Sequence, residues 1–168
     1  MGNIKIKCKI CGKIMCTDDI YVVDGENVCK MCMHENKKPF MIYPIGYVKN
    51  DLKRKSGSFG NIGKEKVSRI ELFSSQMPFM YMINDEKHLT IVYYLNKRNP
   101  IRSVFKRGLD GKEVGIFASR TPDRPSGIAI QEVTLLKVDG TTLYVEGLDA
   151  INDSPVLDIK LGRKSIDG

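Results

Sequence analysis

The sequence lacks any uninterrupted apolar run of roughly 18 residues, the length that a membrane-spanning helix requires. Its first residues, MGNIKIKCKI, alternate Lys with Ile and therefore lack the unbroken apolar segment of a signal peptide. Segments with the periodicity of an amphipathic helix are also nearly absent. These absences argue against a membrane or secreted protein, and we expect a soluble, cytoplasmic chain built mainly from strands.

Cysteine is scarce, since only five occur in 168 residues, and this number is odd. An odd count in a reducing compartment argues against a disulfide framework and favours metal binding. Four of the five form two Cys-x-x-Cys units separated by seventeen residues, and these are Cys8, Cys11, Cys29 and Cys32. This spacing is typical of a closed, structural Zn²⁺ site with four thiolate ligands. Ordinary buried thiols and an iron–sulfur cluster are the alternatives, and we interpret Cys16 and His34 as bystanders.

The segment around the two cysteine pairs predicts a small zinc-ribbon or treble-clef-like module over residues 1–38. Its apolar run is broken by Asp24-Gly25, the pair typical of a type I′ hairpin turn. A module of this size buries too little apolar surface to fold unaided, so metal binding would supply the missing free energy. Lys37-Lys38-Pro39 then interrupts both helix and strand patterns and is interpreted as a linker.

The remaining residues, 42–162, predict a second domain of antiparallel β-structure. Short runs rich in β-branched and aromatic residues recur there with a periodicity close to two. Asp139-Gly140 joins two of them as a hairpin. This number of short strands in about 120 residues is typical of a small barrel or sandwich. The runs are IYPIGYVK, VSRIELF, HLTIVYYL, EVGIFAS, IAIQEVTLLKV, TTLYVEGL and PVLDIK.

The net charge of +7 is unevenly distributed along the chain. Residues 47–107 carry thirteen Lys and Arg against five Asp and Glu, whereas residues 108–168 carry seven against ten. A basic middle segment favours a polyanionic partner such as nucleic acid, and a solvated lysine-rich surface is the alternative. The residues that we predict to contact a phosphate backbone are Lys53, Arg54, Lys55, Arg98, Arg102 and Arg124.

Residues 115–124, GIFASRTPDR, concentrate groups that bind anions. Arg120 and Arg124 present planar guanidinium groups suited to carboxylate or phosphate, and the prolines Pro122 and Pro125 stiffen the chain around them. We therefore interpret this segment, called below the 115–124 loop, as an anion-binding loop.

A second concentration of charge is acidic, since Asp149, Asp153 and Asp158 fall within ten residues. Asp158 interrupts an apolar strand, and an unpaired carboxylate is costly to bury. We therefore expect a cationic partner for Asp158, either one of the loop arginines or Lys160. A structural salt-bridge network is the alternative interpretation of these charges.

Four motifs together resemble the TrmO-like family of tRNA methyltransferases. They are PIGYVK, IVYYLNK, GIFASRTPDRPSGIAI and GLDAINDSPVLDIK, and the resemblance covers about residues 43–161. It implies a β-barrel that binds S-adenosylmethionine outside the Rossmann pattern and assembles as a homodimer. It also implies N6-methylation of threonylcarbamoyladenosine next to the anticodon of a tRNA.

The resemblance further implies a set of cofactor-binding residues. Arg120 matches the family arginine at the cofactor, and residues 153–156 stand where the family has Gly-Thr-Pro-Val. Asn61 is the nearest assignment for a contact in the loop before Val67. The full set of implied cofactor residues is Arg120, Ile130, Asp153, Ser154, Pro155, Val156, Asn96, Lys97 and Asn61.

The implied reaction needs no covalent nucleophile, because a sulfonium methyl donor is already activated and the protein mainly aligns donor and acceptor. A carboxylate that takes the acceptor's proton assists transfer, and Asp149 is the first candidate and Asp158 the second. The family's Asn-Pro after the loop is here Ser126-Gly127. The alternative function is therefore a diverged S-adenosylmethionine-binding barrel that acts on a substrate other than tRNA or serves as a sensor.

Overall fold

The computed structural model describes residues 4–52, 66–97 and 99–163. The chain divides into two compact units. The first comprises Met1–Met41 with Lys97–Gly127, and the second comprises Ile42–Asn96 with Ile128–Gly168. A search of the described helices finds none with the length and apolar character needed to span a membrane.

Strands dominate the described residues, as the sequence predicts. The single α-helix there, α1, spans Lys30–Met33, and 3-10 segments span Thr17–Asp19, Ser74–Met80, Ile83–Asp85 and Ile116–Ala118. The strands are β1 (Lys5–Lys7), β2 (Ile14–Cys16), β3 (Ile20–Val23), β4 (Glu26–Cys29), β5 (Gly46–Lys49), β6 (Val67–Leu72), β7 (His88–Tyr94), β8 (Val104–Lys106), β9 (Glu113–Gly115), β10 (Ile128–Asp139), β11 (Thr142–Glu146) and β12 (Pro155–Leu161).

The second unit contains a closed antiparallel barrel of six strands in the order β10, β11, β6, β5, β12 and β7, with β7 pairing back to β10. Alternate residues of β5, β6, β7 and β11 form most of its core, and β10 and β12 add Val133 and Val156. Leu89, Ile91 and Tyr93 of β7 are buried, as are Leu143 and Val145 of β11. The period-two pattern of the sequence therefore marks the inward face of the strands, and the predicted β-barrel is confirmed.

Glycine is needed where the barrel strands approach most closely. A Cβ at Gly46 in β5 would lie 2.7 Å from the Cα of Leu72 in β6 and would also overlap the backbone of Glu71. A Cβ at Gly162, just after β12, would lie 2.6 Å from the carbonyl carbon of His88 in β7. Backbone of the neighbouring strand fills both positions, so a side chain at either would force the strands apart.

The first unit consists mainly of three antiparallel hairpins, β1–β2, β3–β4 and β8–β9. Asp24 and Gly25 form the turn between β3 and β4 with φ values of 49° and 84°, the left-handed pair that a type I′ turn requires. Ile101 joins β3 through a parallel bridge to Val23. Residues 97–127 therefore belong to the same compact unit as the N-terminal module.

Six of the seven predicted strand runs form the barrel, and EVGIFAS is the exception. Its strand, β9, ends at Gly115, and Ile116–Ala118 form a 3-10 turn. The reason is the length of the partner strand, because Gly115 pairs with Val104, the first residue of β8. The domain boundaries predicted at residues 1–38 and 42–162 stay a prediction; the structure adds that residues 97–127 group with the first unit.

Candidate functional site

Four cysteine side chains converge in the first unit. The Sγ atoms of Cys8, Cys11, Cys29 and Cys32 all lie within 4.8 Å of one another. Among the described residues this cluster includes neither Cys16 nor His34, and the His34 ring instead stacks edge-on against Tyr21. The knuckle spacing therefore selects the same four residues that the fold brings together.

Backbone amides of the two knuckles point at the sulfur atoms. The N–H of Cys29 donates to Cys8 Sγ at 3.3 Å, and the N–H of Cys32 donates to Cys29 Sγ at 3.4 Å. Hydrogen bonds from the backbone of Cys11 and Cys29 lower the pKa of the Cys8 thiol to about 6, despite opposing desolvation. A thiolate at this position is therefore accessible near neutral pH, as metal ligation requires.

In the barrel unit, residues 152–154 form a tight turn before β12. Asp153 adopts a left-handed conformation with φ of 64°, and its carboxylate accepts hydrogen bonds from Lys49 Nζ at 2.7 Å and from Asn152 Nδ2 at 2.8 Å. Its carbonyl oxygen accepts a hydrogen bond from Asn96 Nδ2 at 3.1 Å. The hydrogen bonds of Asp153 and Asn96 therefore hold the turn in its conformation.

Ser154 follows Asp153 and is almost completely buried. Its backbone is bonded on both sides, since its N–H donates to the carbonyl of Ile151 and its carbonyl accepts from the N–H of Val48. Its Oγ, in contrast, has no hydrogen-bond partner within the described part of the chain. A buried hydroxyl left without a partner costs about 1–3 kcal/mol, so Ser154 is the side chain of this turn with unused hydrogen-bonding capacity.

Three polar residues to which the sequence analysis assigns no role, Asn50, Asn152 and Tyr93, hold the turn against the barrel. Asn50 donates to Ser68 Oγ and to the carbonyl of Ala150, and its own N–H donates to Asn152 Oδ1. The third, Tyr93, donates its hydroxyl to the carbonyl of Asp149 at 3.1 Å. Asn residues beside strand ends often bond to local backbone in this way, which is the one signal that sequence could have supplied.

Asp149 lies in the same loop and is exposed as a residue, yet its carboxyl is partly desolvated. This burial raises the pKa of Asp149 above the ordinary value of 3.8. The direction of the shift suits a carboxylate that accepts a proton near neutral pH.

Asp158 differs from the sequence expectation of a carboxylate buried in a strand. A register shift between Val156 and Asp158 interrupts the pairing of β12 with β7, and the Asp158 side chain is 48% exposed. Its expected cationic partner is Lys160, at 2.6 Å, and its Oδ1 also accepts the N–H of Ile159. Asp158 and Lys160 therefore form a surface ion pair, and such a pair contributes little to stability.

The 115–124 loop, in the first unit, is held rigid by the side chain of Arg124. The guanidinium of Arg124 donates to the carbonyl of Ser119 at 2.6 Å and to that of Thr121 at 3.0 Å. Arg107 donates to the carbonyl of Ala118 from outside the loop, and Asp123 accepts two hydrogen bonds from Asn99. Arg124 is thus committed to the shape of the loop.

Arg120 has the opposite character. It is exposed and makes no hydrogen bond or ion pair with another described residue. The structure therefore distinguishes the two arginines: Arg124 builds the loop, and Arg120 is exposed.

The other predicted site residues are distributed as follows. Ile130 lies on β10 opposite Val92 and is 61% exposed, whereas Val156 is fully buried in the barrel core and Pro155 pairs with Tyr47. Lys97 and Arg102 are exposed residues of the first unit. The residues that lie outside the described part of the chain are Lys53, Arg54, Lys55, Asn61 and Arg98.

Comparison with known proteins gives consistent relatives. An Archaeoglobus fulgidus protein named S-adenosyl-L-methionine-binding protein is 33% identical over 134 residues, which are 76% of this chain and 92% of that protein. A second protein of that organism, named a probable S-adenosyl-L-methionine-binding protein, is 35% identical over 73% of this chain and 34% of its own length. The human protein named tRNA (adenine(37)-N6)-methyltransferase is 28% identical over 70% of this chain and 29% of its own length.

The chain therefore spans about a third of the length of some of these relatives. The crystal structure of TrmO from Pseudomonas aeruginosa has the same fold, with a TM-score of 0.57 and 24% identity over 74% of this chain and 56% of that chain. Residues 51–168 match the tRNA-methyltransferase O N-terminal domain. Because this match spans more than half of the sequence, the chain belongs to the family of the tRNA-methyltransferase O N-terminal domain.

Proposed function

We propose that the protein is a cytoplasmic, S-adenosylmethionine-dependent methyltransferase that modifies N6 of an adenosine in tRNA. The observation that carries this proposal is the family match over residues 51–168, which includes the whole described barrel except β5. The names of the relatives support both parts of it, the bound cofactor and the tRNA base. The resemblance of the motifs extends the proposal to threonylcarbamoyladenosine beside the anticodon.

The residues present fit the proposed cofactor. S-Adenosylmethionine supplies an electrophilic methyl group on a sulfonium, and it also carries a carboxylate and several hydrogen-bonding groups. Arg120 offers an exposed guanidinium for an anionic group. Ser154 offers a buried hydroxyl with no partner among the described residues, and Ile130 offers an exposed apolar surface. We propose Ser154 and Ile130 as cofactor-binding side chains of the barrel unit, with Asp153 and Asn96 shaping the turn. Arg120 of the first unit is proposed on its own account, as a residue that binds an anionic group of the cofactor.

Asp149 is the proposed general base. Its carboxyl has a raised pKa through burial and lies in the loop that Tyr93 and Asn50 anchor to the barrel. Asp158 is a weaker candidate, because Lys160 and the N–H of Ile159 already occupy its carboxylate. A positioned base of this kind contributes roughly 10²–10⁴-fold to a rate.

Methyl transfer from labelled S-adenosylmethionine to total tRNA tests the function. We expect label in N6-methylated adenosine. Label that enters only another cellular fraction would instead support the alternative of a diverged barrel with a different substrate.

Asp149→Asn removes the proposed base without changing size, and we expect at least a 100-fold loss of kcat with unchanged cofactor affinity. In the wild type, kcat/KM falls as pH decreases through the raised pKa of Asp149, and the variant loses this acid limb. Asp139→Asn is the matched control, since Asp139 is an exposed carboxylate at the end of β10, beside Lys137 in the same unit. A fully active Asp149→Asn together with an inactive Asp158→Asn would transfer the role to Asp158.

The proposed partner is tRNA, contacted through exposed basic residues of which Arg102 is the best described. Arg102→Ala and Arg120→Ala form a matched pair, because both residues are exposed arginines of the first unit. We expect Arg120→Ala to weaken S-adenosylmethionine binding by roughly 10- to 100-fold in calorimetry. Arg102→Ala should weaken only tRNA binding and reduce its salt dependence. If both variants changed the same affinity, the separate roles would be wrong.

A structural Zn²⁺ ion is the proposed occupant of the cysteine cluster. Zn–S bonds of about 2.3 Å in a tetrahedron place the sulfur atoms about 3.8 Å apart. The distance between the Sγ atoms of Cys11 and Cys29 is 3.9 Å, and the four atoms already lie within 4.8 Å of one another. Four thiolates leave no open position, so the metal would stabilise the module and take no part in the reaction.

Elemental analysis of the purified protein tests the metal. We expect about one zinc per chain in the wild type and a strong loss in Cys8→Ser, because three thiolates bind zinc more weakly than four. Cys16→Ser is the control, since Cys16 lies outside the cluster, and it should keep its zinc. Iron in place of zinc, or a full metal content in Cys8→Ser, would contradict the proposal.

A homodimer is the proposed assembly. The barrel unit exposes large apolar side chains on and after the 3-10 segment Ser74–Met80, with Phe79 77%, Tyr81 86% and Met82 58% exposed. An exposed apolar patch on a protein of this kind is typical of an interaction site.

Sedimentation of the wild type should show a dimer. Phe79→Ser should increase the monomer fraction, because it removes an apolar side chain from the exposed patch. A monomeric wild type would refute the dimer.

A further inference from the structure

The hairpin of the cysteine module is bonded along its outer edge to residues that lead to the 115–124 loop. The N–H of Ile101 donates to the carbonyl of Val22 at 2.8 Å, and the N–H of Asp24 donates to the carbonyl of Ile101 at 2.9 Å. Ile101 itself is buried. Residue 101 thus adds a single-residue parallel bridge to the edge of the β3–β4 pair within the first unit.

The side chain of Asp24 adds a hydrogen bond that is not part of the pairing between strands. Its Oδ1 accepts the N–H of Ser103 at 2.8 Å. Hydrogen bonds from the side chain and the backbone of Ser103 lower the pKa of Asp24, so the carboxylate stays ionised at neutral pH. The contact joins the turn of the hairpin, where Asp24 has a φ of 49°, to a segment 79 residues further along the chain.

Ser103 connects this contact to the 115–124 loop. Its carbonyl oxygen accepts the N–H of Ile116 at 3.0 Å. Ile116 is buried, and its own carbonyl accepts bonds from Ser119 Oγ at 2.8 Å and from Arg124. One residue therefore joins the Asp24 carboxylate to the start of the loop that presents Arg120.

At its other end the hairpin is fixed by the cysteine cluster. β4 ends at Cys29, whose N–H donates to Cys8 Sγ, and the N–H of Lys9 in the first knuckle donates to the carbonyl of Asn27 at 2.8 Å. Movement of the hairpin would disturb both knuckles. The cluster therefore gives the Asp24 turn a rigid base.

We infer that Asp24 is a positioning residue for cofactor binding, through which the four-cysteine module braces the 115–124 loop by way of Ser103 and Ile116. This inference rests on the proposed function only in its cofactor part. The cysteine module thereby supports the role proposed for Arg120, because an exposed guanidinium binds an anion well only when its loop is held in place.

Two substitutions separate the carboxylate contact from the turn. Asp24→Gly removes the acceptor but keeps a Gly-Gly pair that suits the type I′ turn, so the hairpin itself persists. Asp24→Asn keeps an oxygen acceptor for Ser103 and tolerates the left-handed backbone. Asp18→Gly, at an exposed carboxylate in the same module, is the matched control.

Amide hydrogen exchange by NMR, measured without cofactor, is the first readout. In Asp24→Gly we expect at least ten-fold faster exchange at Ser103 and Ile116, while amides of β7 and β11 keep wild-type rates. Asp24→Asn and Asp18→Gly should resemble the wild type, and zinc content should stay unchanged in all three. Wild-type exchange at Ile116 in Asp24→Gly would overturn the inference.

Calorimetric binding is the second readout. We expect Asp24→Gly to weaken S-adenosylmethionine binding about ten-fold, whereas Asp24→Asn keeps nearly the wild-type affinity. Faster exchange with unchanged cofactor affinity would overturn the positioning role. A wild-type protein that binds no S-adenosylmethionine would refute the proposed function instead, and the exchange data alone would then decide whether Asp24 holds the loop.

Discussion

Closure of the barrel through β7 is the constraint on which the second unit depends. β7 pairs with β10 along one edge and with β12 along the other, so each backbone group of this strand has a partner on one side or the other. Its buried side chains, Leu89, Ile91 and Tyr93, then fall into one interior row. The same closure brings the end of β7 beside the turn before β12, where the Asn96 side chain bonds to the carbonyl of Asp153. The turn with the unpartnered Ser154 hydroxyl is thus a product of barrel geometry.

The first unit is stabilised differently from the barrel, because its short hairpins bury few large apolar side chains. Four cysteines converge where a core would otherwise be needed, and a metal at this position would replace the missing apolar burial. From this cluster a series of hydrogen bonds runs through the β3–β4 hairpin to Ser103 and Ile116. Residues 97–127 are separated from the module by more than fifty residues of sequence, yet they share its compact unit. Among the described residues, backbone groups of Ile101 and Ser103 and the Asp24 carboxylate make this connection, and no local sequence pattern indicates that these distant segments meet.

Much of the architecture follows from local pattern. Strands β7 and β11 alternate buried and half-buried residues with period two, and hairpin turns lie at Asp24-Gly25 and Asp139-Gly140, so these elements could be predicted from sequence. The cysteine spacing likewise selected the four sulfur atoms that converge. The prediction that EVGIFAS forms a barrel strand was wrong. The length of a strand depends on its partner, and the partner strand β8 begins at Val104. Nothing within the seven residues themselves indicates where that partner begins.

The sequence by itself determined the strands, the cysteine cluster, the family and the segments in which charged groups concentrate, because each of these is encoded by spacing or by residue type. Tertiary structure decided what the individual charges do. Arg120 and Arg124 are equivalent in the sequence, but loop carbonyls engage one guanidinium and leave the other exposed. Asp149 and Asp158 are equally acidic, but partial burial raises the pKa of the first, whereas a register shift places the second in a surface pair with Lys160. Burial and hydrogen-bond partners depend on residues distant in the chain, and local sequence does not specify them.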